Sequence, residues 1–217
     1  MLEFFKTVID IFLHLDKNLA LVISQYGTAT YALLFLIVFM ETGFVVTPFL
    51  PGDSLIFAAG ALSVTSELNV WVVYILLLIA AIAGDTVNYS IGHYIGPKVF
   101  KMKSRFIKKE HLDKTQEFYD KYGNSTIVLA RFVPIVRTFA PFVAGVAKMS
   151  YKHFISYNII GGFLWVTLFT WTGYFFGNLP FVKEHFHYVV VVIILLSIMP
   201  IIYELYKAKI IKAPKLD

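Results

Sequence analysis

Five ionisable side chains lie inside apolar stretches of the sequence, where a charge is energetically expensive. They are Glu41, Asp53, Asp85, Arg131 and Arg137. A charge at the centre of a membrane-spanning helix costs about 2.5–3.5 kcal/mol on insertion scales, so such groups are usually paired or line a polar cavity. The sequence therefore predicts a buried polar site made of acids and arginines.

The two buried cations are arginines, although lysine is the common basic residue of this chain. A guanidinium group stays charged and offers a planar fork of donors that matches a phosphate or a carboxylate. Arg131 and Arg137 flank Pro134 and can converge on one phosphate. We therefore expect these two arginines to bind the phosphate of a substrate.

The acids Glu41 and Asp53 can complement the arginines. Burial favours the neutral form of a carboxyl group, and a neighbouring arginine favours its charged form. Proton uptake can therefore decide whether the carboxylate holds an arginine or frees it to bind an anion. We expect Glu41 and Asp53 to couple transport to protons. A static ion pair that locks the structure, for instance Asp53 with Arg131, remains an alternative.

Asp85 belongs to the segment Gly84-Asp-Thr-Val-Asn-Tyr89. It can act as a relay partner of Glu41 or Asp53, but a structural hydrogen-bond network with Asn88 and Tyr89 is the favoured interpretation. No catalytic residue, metal ion or cofactor is predicted, because the chain has no cysteine and no histidine near the arginines. We expect Trp165 and Trp171 to lie in interfacial aromatic belts.

The composition places these groups in a membrane protein. Of the 217 residues, 58% are hydrophobic and 15% are charged, against roughly 25% charged residues in soluble domains. The net charge of +5 therefore indicates basic cytoplasmic loops rather than nucleic-acid binding. The expected partners are a membrane lipid and protons, with a homo-oligomer left open.

The apolar segments predict an all-α membrane protein with about four full spans and two re-entrant loops. A span needs about 20 residues, and four segments qualify: 19–40, 70–96, 154–177 and 188–206. Two further apolar stretches, 44–62 and 126–147, are broken by Pro48, Pro51, Gly52, Pro134 and Pro141. Because proline interrupts a helix, we expect these stretches to be re-entrant hairpins shielded by protein.

The distribution of lysine and arginine sets the expected topology. Neither occurs between Lys17 and Lys98, whereas both crowd into a connector at 97–122, and lysine recurs in the tail at 207–217. By the positive-inside rule, connector, tail and N-terminus are cytoplasmic. Residues 1–18 are expected to form an interfacial amphipathic helix, followed by a membrane domain at 19–206. Six full spans, which move the connector outside, are the alternative.

The two predicted hairpins resemble each other in sequence. Phe57-Ala-Ala-Gly60 closes the first and Phe142-Val-Ala-Gly145 closes the second. Each is followed by a span that ends in Gly-x-x-x-Gly, a spacing that lets helices approach closely. Since the hairpins enter from opposite faces, we expect inverted repeats with a binding site near the midplane.

The motifs in their order resemble the DedA family of bacterial inner-membrane proteins, also called the SNARE-associated or VTT-domain family. The resemblance covers residues 30–178, and the following segments and residues carry it: Glu41, Pro48-Phe-Leu-Pro-Gly-Asp53, Gly84-Asp85, Tyr89, Arg131-Phe-Val-Pro-Ile-Val-Arg137, Pro141, Gly145, Asn158, Gly161, Trp165 and Gly173-Tyr174. It implies two opposed re-entrant hairpins, a bacterial inner-membrane location and proton-motive-force dependence.

The resemblance also implies movement of lipid across the bilayer. Polyprenyl phosphate, such as undecaprenyl phosphate, and phospholipids, such as phosphatidylethanolamine, are the expected substrates of a flippase of this kind. A proton-coupled small-ion antiporter and a membrane-assembly or structural factor remain alternatives. A lipid phosphatase is disfavoured, because the nearest histidine after the arginines is His153.

Overall fold

A computed structural model of the protein describes residues 15–44, 52–99, 119, 123–189 and 191–193. Regular structure in these ranges is helical, with no strand. In chain order the helices are α1 (Leu15–Tyr26), α2 (Ala29–Gly43), α3 (Gly52–Leu62), α4 (Val70–Val99), α5 (Thr126–Ala130), α6 (Pro134–Val146), α7 (Tyr151–Phe176) and α8 (Pro180–Glu184). Pro48, Pro51, the tail at 207–217 and most of segments 1–18 and 97–122 lie outside the described residues.

Among the described residues, two helices are long and apolar enough to cross a membrane: α4 over Val70–Ile95 and α7 over Tyr151–Phe176. They confirm the predicted helical segments at 70–96 and 154–177 by length and composition. The Asn69 side chain caps α4 by accepting hydrogen bonds from the amides of Trp71 and Val72, at 2.9 and 3.3 Å. Large apolar side chains face outward from both helices, as in a lipid-facing surface. The segment 188–206 is described only at 188, 189 and 191–193 and stays a prediction.

The prediction of one continuous span over 19–40 is wrong. The structure divides this segment between α1 and α2, which are separated at Gly27. Gly27 has φ +51°, a left-handed conformation that glycine adopts without a Cβ penalty and that ends helices. Its amide donates to the carbonyl of Ile23 at 2.8 Å and closes the last turn of α1.

The segment 126–147 consists of two helices, α5 and α6, with a break at residues 131–133. Val133 is extended, with φ −125° and ψ 101°, as expected for a residue that precedes proline. Pro134 is the first residue of α6, a position where the missing N–H costs nothing. In the segment 44–62, Phe44 is extended and α3 begins at Gly52.

The short helices pack against the long ones through glycine. α3 lies on α7 and α6 lies on α4. A Cβ atom at any of four glycines would collide with a carbonyl oxygen of the opposite helix. The pairs are Gly60 with Thr170, Gly173 with Phe57, Gly92 with Phe142 and Gly145 with Tyr89. These close approaches fix α3 and α6, whose first turns carry site residues.

Candidate functional site

The five predicted charged residues are buried and lie close together. Their relative exposures range from 2% for Asp85 and Arg131 to 9% for Asp53. Asp85 lies within one helical turn of the midpoint of the apolar span of α4. The structure thus gathers all five groups, four from different helices and Arg131 from the break between α5 and α6.

Arg137 bridges two acids. Its Nη1 donates to Asp53 Oδ1 at 2.6 Å, and its Nη2 donates to Glu41 Oε1. Glu41 lies near the end of α2, Asp53 in the first turn of α3 and Arg137 in the first turn of α6. One guanidinium group therefore ties together the ends of three helices.

Arg131 pairs with the third acid. Its Nη2 donates to Asp85 Oδ2 at 2.6 Å and to Asn158 Oδ1 at 2.6 Å. The suggested pair of Asp53 with Arg131 is therefore wrong, because Asp53 pairs with Arg137 and Asp85 takes Arg131. Asp85 comes from α4 and Asn158 from α7, so this group connects the two long helices.

Trp165 lies between the two ion-paired groups, and its predicted place in an interfacial belt is wrong. It is fully buried in α7, and its Nε1 donates to Asp53 Oδ1 at 2.8 Å. The Cζ atoms of Arg137 and Arg131 lie 5.0 and 5.7 Å from its ring centre. Trp165 follows Asn158 by seven residues, and that helical spacing was the signal that could have placed both on one face.

The supporting residues hold the surrounding backbone. Asn88 Nδ2 donates to the carbonyls of Thr42 and Thr138, at 3.1 and 2.9 Å, and so joins α4 to α2 and α6. A side chain at Gly52 would overlap the Glu41 carboxylate. Pro141 lies inside α6 and cannot donate a backbone hydrogen bond to the carbonyl of Arg137.

Arg131 retains donor capacity for a further acceptor. Its Nε and Nη1 are buried and have no hydrogen-bond partner among the described residues. An unsatisfied buried donor of a charged group is costly. Both bidentate forks of a guanidinium group include Nη2, which already donates to Asp85 and Asn158. Nε and Nη1 can therefore each offer a single hydrogen bond to an anion without breaking the Arg131–Asp85 pair.

Counted over the ranges that the structure describes, the same site has one negative formal charge in excess. It contains the ion pairs of two arginines with three carboxylates, all deeply buried. Because burial penalises uncompensated charge, a proton on one carboxyl group brings the site to neutrality. Over the described residues, His, Asp and Glu form no group of three or more that could hold a metal ion.

Comparison with known proteins gives one family. The VTT domain matches residues 50–175 of the chain. Protein DedA of Escherichia coli (strain K12) is 55% identical over 205 residues, which cover 93% of this chain and 94% of that protein. An uncharacterized membrane protein of Mycobacterium leprae, ML0287, is 41% identical over 76% of this chain and 74% of its own length.

A more distant relative carries a location in its name. The inner membrane protein YqjA of E. coli (strain K12) is 28% identical over 81% of this chain and 80% of its own length. No solved structure matches the chain.

Proposed function

The chain belongs to the VTT-domain (DedA) family of membrane proteins, and from that premise we propose that it transports a phosphate-bearing lipid across the bilayer. The candidate lipids are a polyprenyl phosphate, such as undecaprenyl phosphate, and a phospholipid, such as phosphatidylethanolamine. The single observation that carries the proposal is the buried guanidinium group of Arg131, whose Nε and Nη1 lack a partner within the described part of the chain.

The headgroup phosphate binds to Arg131 and Arg137, and the hydrocarbon chains remain in the lipid beside the protein. Arg131 can use its remaining donors, whereas Arg137 must release Glu41 or Asp53 before it can turn to the phosphate. In the proposed cycle, Arg137 therefore alternates between a state bound to its carboxylate partners and a state bound to the phosphate.

Proton coupling follows from the charge balance of this cycle. The site already has more carboxylates than arginines, and an anionic headgroup adds further negative charge. Protonation of Glu41 or Asp53 releases Arg137 and offsets the added charge. Protons taken up on one side of the membrane and released on the other would then drive the cycle.

The proposed architecture has two opposed re-entrant hairpins in inverted repeats. The reciprocal glycine contacts support it, because α3 packs on α7 of the second half and α6 packs on α4 of the first half through equivalent Phe-x-x-Gly segments. We place the protein in the bacterial inner membrane with both termini cytoplasmic. The name of the relative YqjA supports the location, and the basic connector and tail support the orientation.

The proposed protein is a transporter rather than an enzyme. In the parts of the chain that the structure describes, the polar and aromatic side chains in contact with the arginines are carboxylates, the Asn158 amide and the Trp165 indole, which suit binding and proton transfer. A cation path has no need of two fixed positive charges, so we favour lipid transport over small-ion antiport. The ion pairs also suit a purely structural role, in which function tolerates substitution of Glu41, Asp53, Arg131 and Arg137 as long as the fold survives.

A reconstitution experiment tests the proposal. Purified protein in proteoliposomes is given polyprenyl phosphate and phosphatidylethanolamine in separate assays, with and without a pH gradient. We expect one of these lipids to cross the bilayer faster than in protein-free vesicles, and the gradient to raise that rate. Cation flux without lipid movement would instead support antiport, and the absence of both would support a structural role.

A further inference from the structure

Trp165 touches members of both ion-paired groups at the candidate site. Its indole N–H donates to Asp53 Oδ1, the same oxygen that accepts from Arg137. Its ring lies 5.0 Å from the Cζ atom of Arg137 and 5.7 Å from that of Arg131. Neither the family resemblance nor the charges predicted from sequence assigns it a role in transport.

The electrostatics of an aromatic ring suit this position. The face of an indole attracts cations, and this attraction is largest where water is excluded, as it is around the fully buried Trp165. Two guanidinium groups repel each other once their carboxylate partners release them. An uncharged ring beside both can stabilise them without competing with an incoming anion.

We propose that Trp165 is a positioning residue, whose ring keeps Arg131 and Arg137 in place during headgroup exchange and whose N–H keeps Asp53 oriented for proton uptake. The inference rests on the proposed lipid transport and adds a residue to its site. The ring acts on substrate affinity through the arginines. The N–H acts on proton coupling through Asp53.

Several charged groups surround Asp53 and Trp165. Arg137 of α6 pairs with Asp53 and with Glu41 of α2. The Trp165 ring also lies beside Arg131, which pairs with Asp85 of α4. The pH profile of a Trp165 variant must therefore be compared with the pH profile of a control variant that keeps all these charges and the Trp165 ring.

Two substitutions separate the ring from the N–H. Trp165→Phe keeps an aromatic face and removes the donor. We expect its KM for polyprenyl phosphate to stay within about 3-fold of the unsubstituted protein, with a changed dependence of transport on pH, because the Asp53 carboxylate loses a hydrogen-bond donor. Trp165→Leu removes both features and should raise KM by about 10-fold.

Trp171→Phe is the matched control. Trp171 lies on the same helix but packs against Trp71, with ring centres 4.9 Å apart, away from the arginines. We expect its KM and pH profile to match those of the unsubstituted protein. If Trp165→Phe and Trp165→Leu lower only the amount of folded protein, with KM and pH profile unchanged, the positioning role is wrong.

A spectroscopic measurement needs no change at Trp165. The chain has three tryptophans, so a Trp71→Phe/Trp171→Phe protein reports fluorescence from Trp165 alone. We expect polyprenyl phosphate in detergent to change this emission and uncharged polyprenol to leave it unaltered. An equal response to both lipids, or none to either, would contradict the proposal.

The two proposals fail in different ways. If the protein moves polyprenyl phosphate, but Trp165→Phe and Trp165→Leu leave KM and pH profile unchanged and the Trp165 emission does not respond specifically to polyprenyl phosphate, only the positioning role fails. If the unsubstituted protein moves neither polyprenyl phosphate nor phosphatidylethanolamine, the transport function fails, and the positioning role fails with it.

Discussion

At the scale of single residues, each arginine has its own partners. Arg137 is shared between Glu41 and Asp53, whereas Arg131 has Asp85 as its acidic partner. The two cations therefore differ in how easily they can turn to a substrate. Arg131 can add an acceptor, and Arg137 must exchange one.

Conservative replacement of an arginine tests the importance of the planar fork. Arg137→Lys keeps the charge but loses the bidentate geometry, and Arg131→Ala loses both. We expect each variant to insert in the membrane and to transport lipid more slowly by about 10-fold or more, measured in proteoliposomes. Arg105→Lys, in the connector, is the control and should transport normally. Normal transport by Arg137→Lys would remove the argument for bidentate phosphate binding.

Removal of the acid partner of Arg131 tests the buried ion pair. Asp85→Ala leaves a buried guanidinium group without its carboxylate, and breaking a buried pair in this way costs about 3–5 kcal/mol. We expect the free energy of unfolding in detergent to fall by that order. Glu67 is exposed, so Glu67→Ala should change it by less than about 0.5 kcal/mol. Equal effects of the two substitutions would mean that the pair adds nothing to stability.

At the scale of secondary-structure elements, close helix contact depends on individual glycines. A Cβ atom at Gly173 would collide with the carbonyl oxygen of Phe57, which belongs to backbone and cannot turn away. A Cβ atom at Gly162, also in α7, would lie 3.2 Å from the Ile82 side chain. The first contact excludes a larger residue, and the second leaves room for adjustment.

Substitution of Gly173 and of Gly162 by alanine should have different effects on stability. Alanine is favoured over glycine inside a helix by about 1 kcal/mol, so Gly162→Ala should be neutral or stabilising. Gly173→Ala should destabilise by about 1–3 kcal/mol, because overpacking separates α3 from α7. Thermal unfolding in detergent measures both. A stabilising Gly173→Ala would contradict the close approach of the two helices.

At the scale of the whole molecule, the topology separates the proposed inverted repeat from six full spans. The chain has no cysteine, so a single introduced cysteine reports the side of the membrane on which it lies. Val64→Cys lies in the turn between α3 and α4, and Lys114→Cys lies in the connector. In the proposed topology, Val64→Cys lies on the outer side of the membrane and Lys114→Cys lies on the cytoplasmic side.

Labelling of intact cells with a membrane-impermeant maleimide distinguishes the two topologies. We expect Val64→Cys to react and Lys114→Cys to react only after the cells are opened. Six full spans reverse both results. In that topology the segment 44–62 crosses the membrane, so the chain between it and the segment 126–147 has the opposite orientation. Lys148→Cys, which faces the cytoplasm in both topologies, serves as the unreactive control.

The sequence by itself determined the class of protein and the charged residues of the candidate site. Membrane character, the helices at α4 and α7, the break before Pro134 and the burial of five charges follow from hydropathy, proline chemistry and the cost of burying charge. These are local properties, or properties of one residue type in one solvent. They need no knowledge of which helix lies beside which.

Only the tertiary structure decided the pairing within the site. Asp53 pairs with Arg137 rather than Arg131, and Trp165 is buried between the arginines rather than placed at an interface. Gly27 divides a segment that hydropathy alone joins into one span. The physical reason is that ion pairing and aromatic contacts depend on the rotation and crossing of packed helices. Close glycine contacts between segments distant in sequence set this geometry, and hydropathy does not encode it.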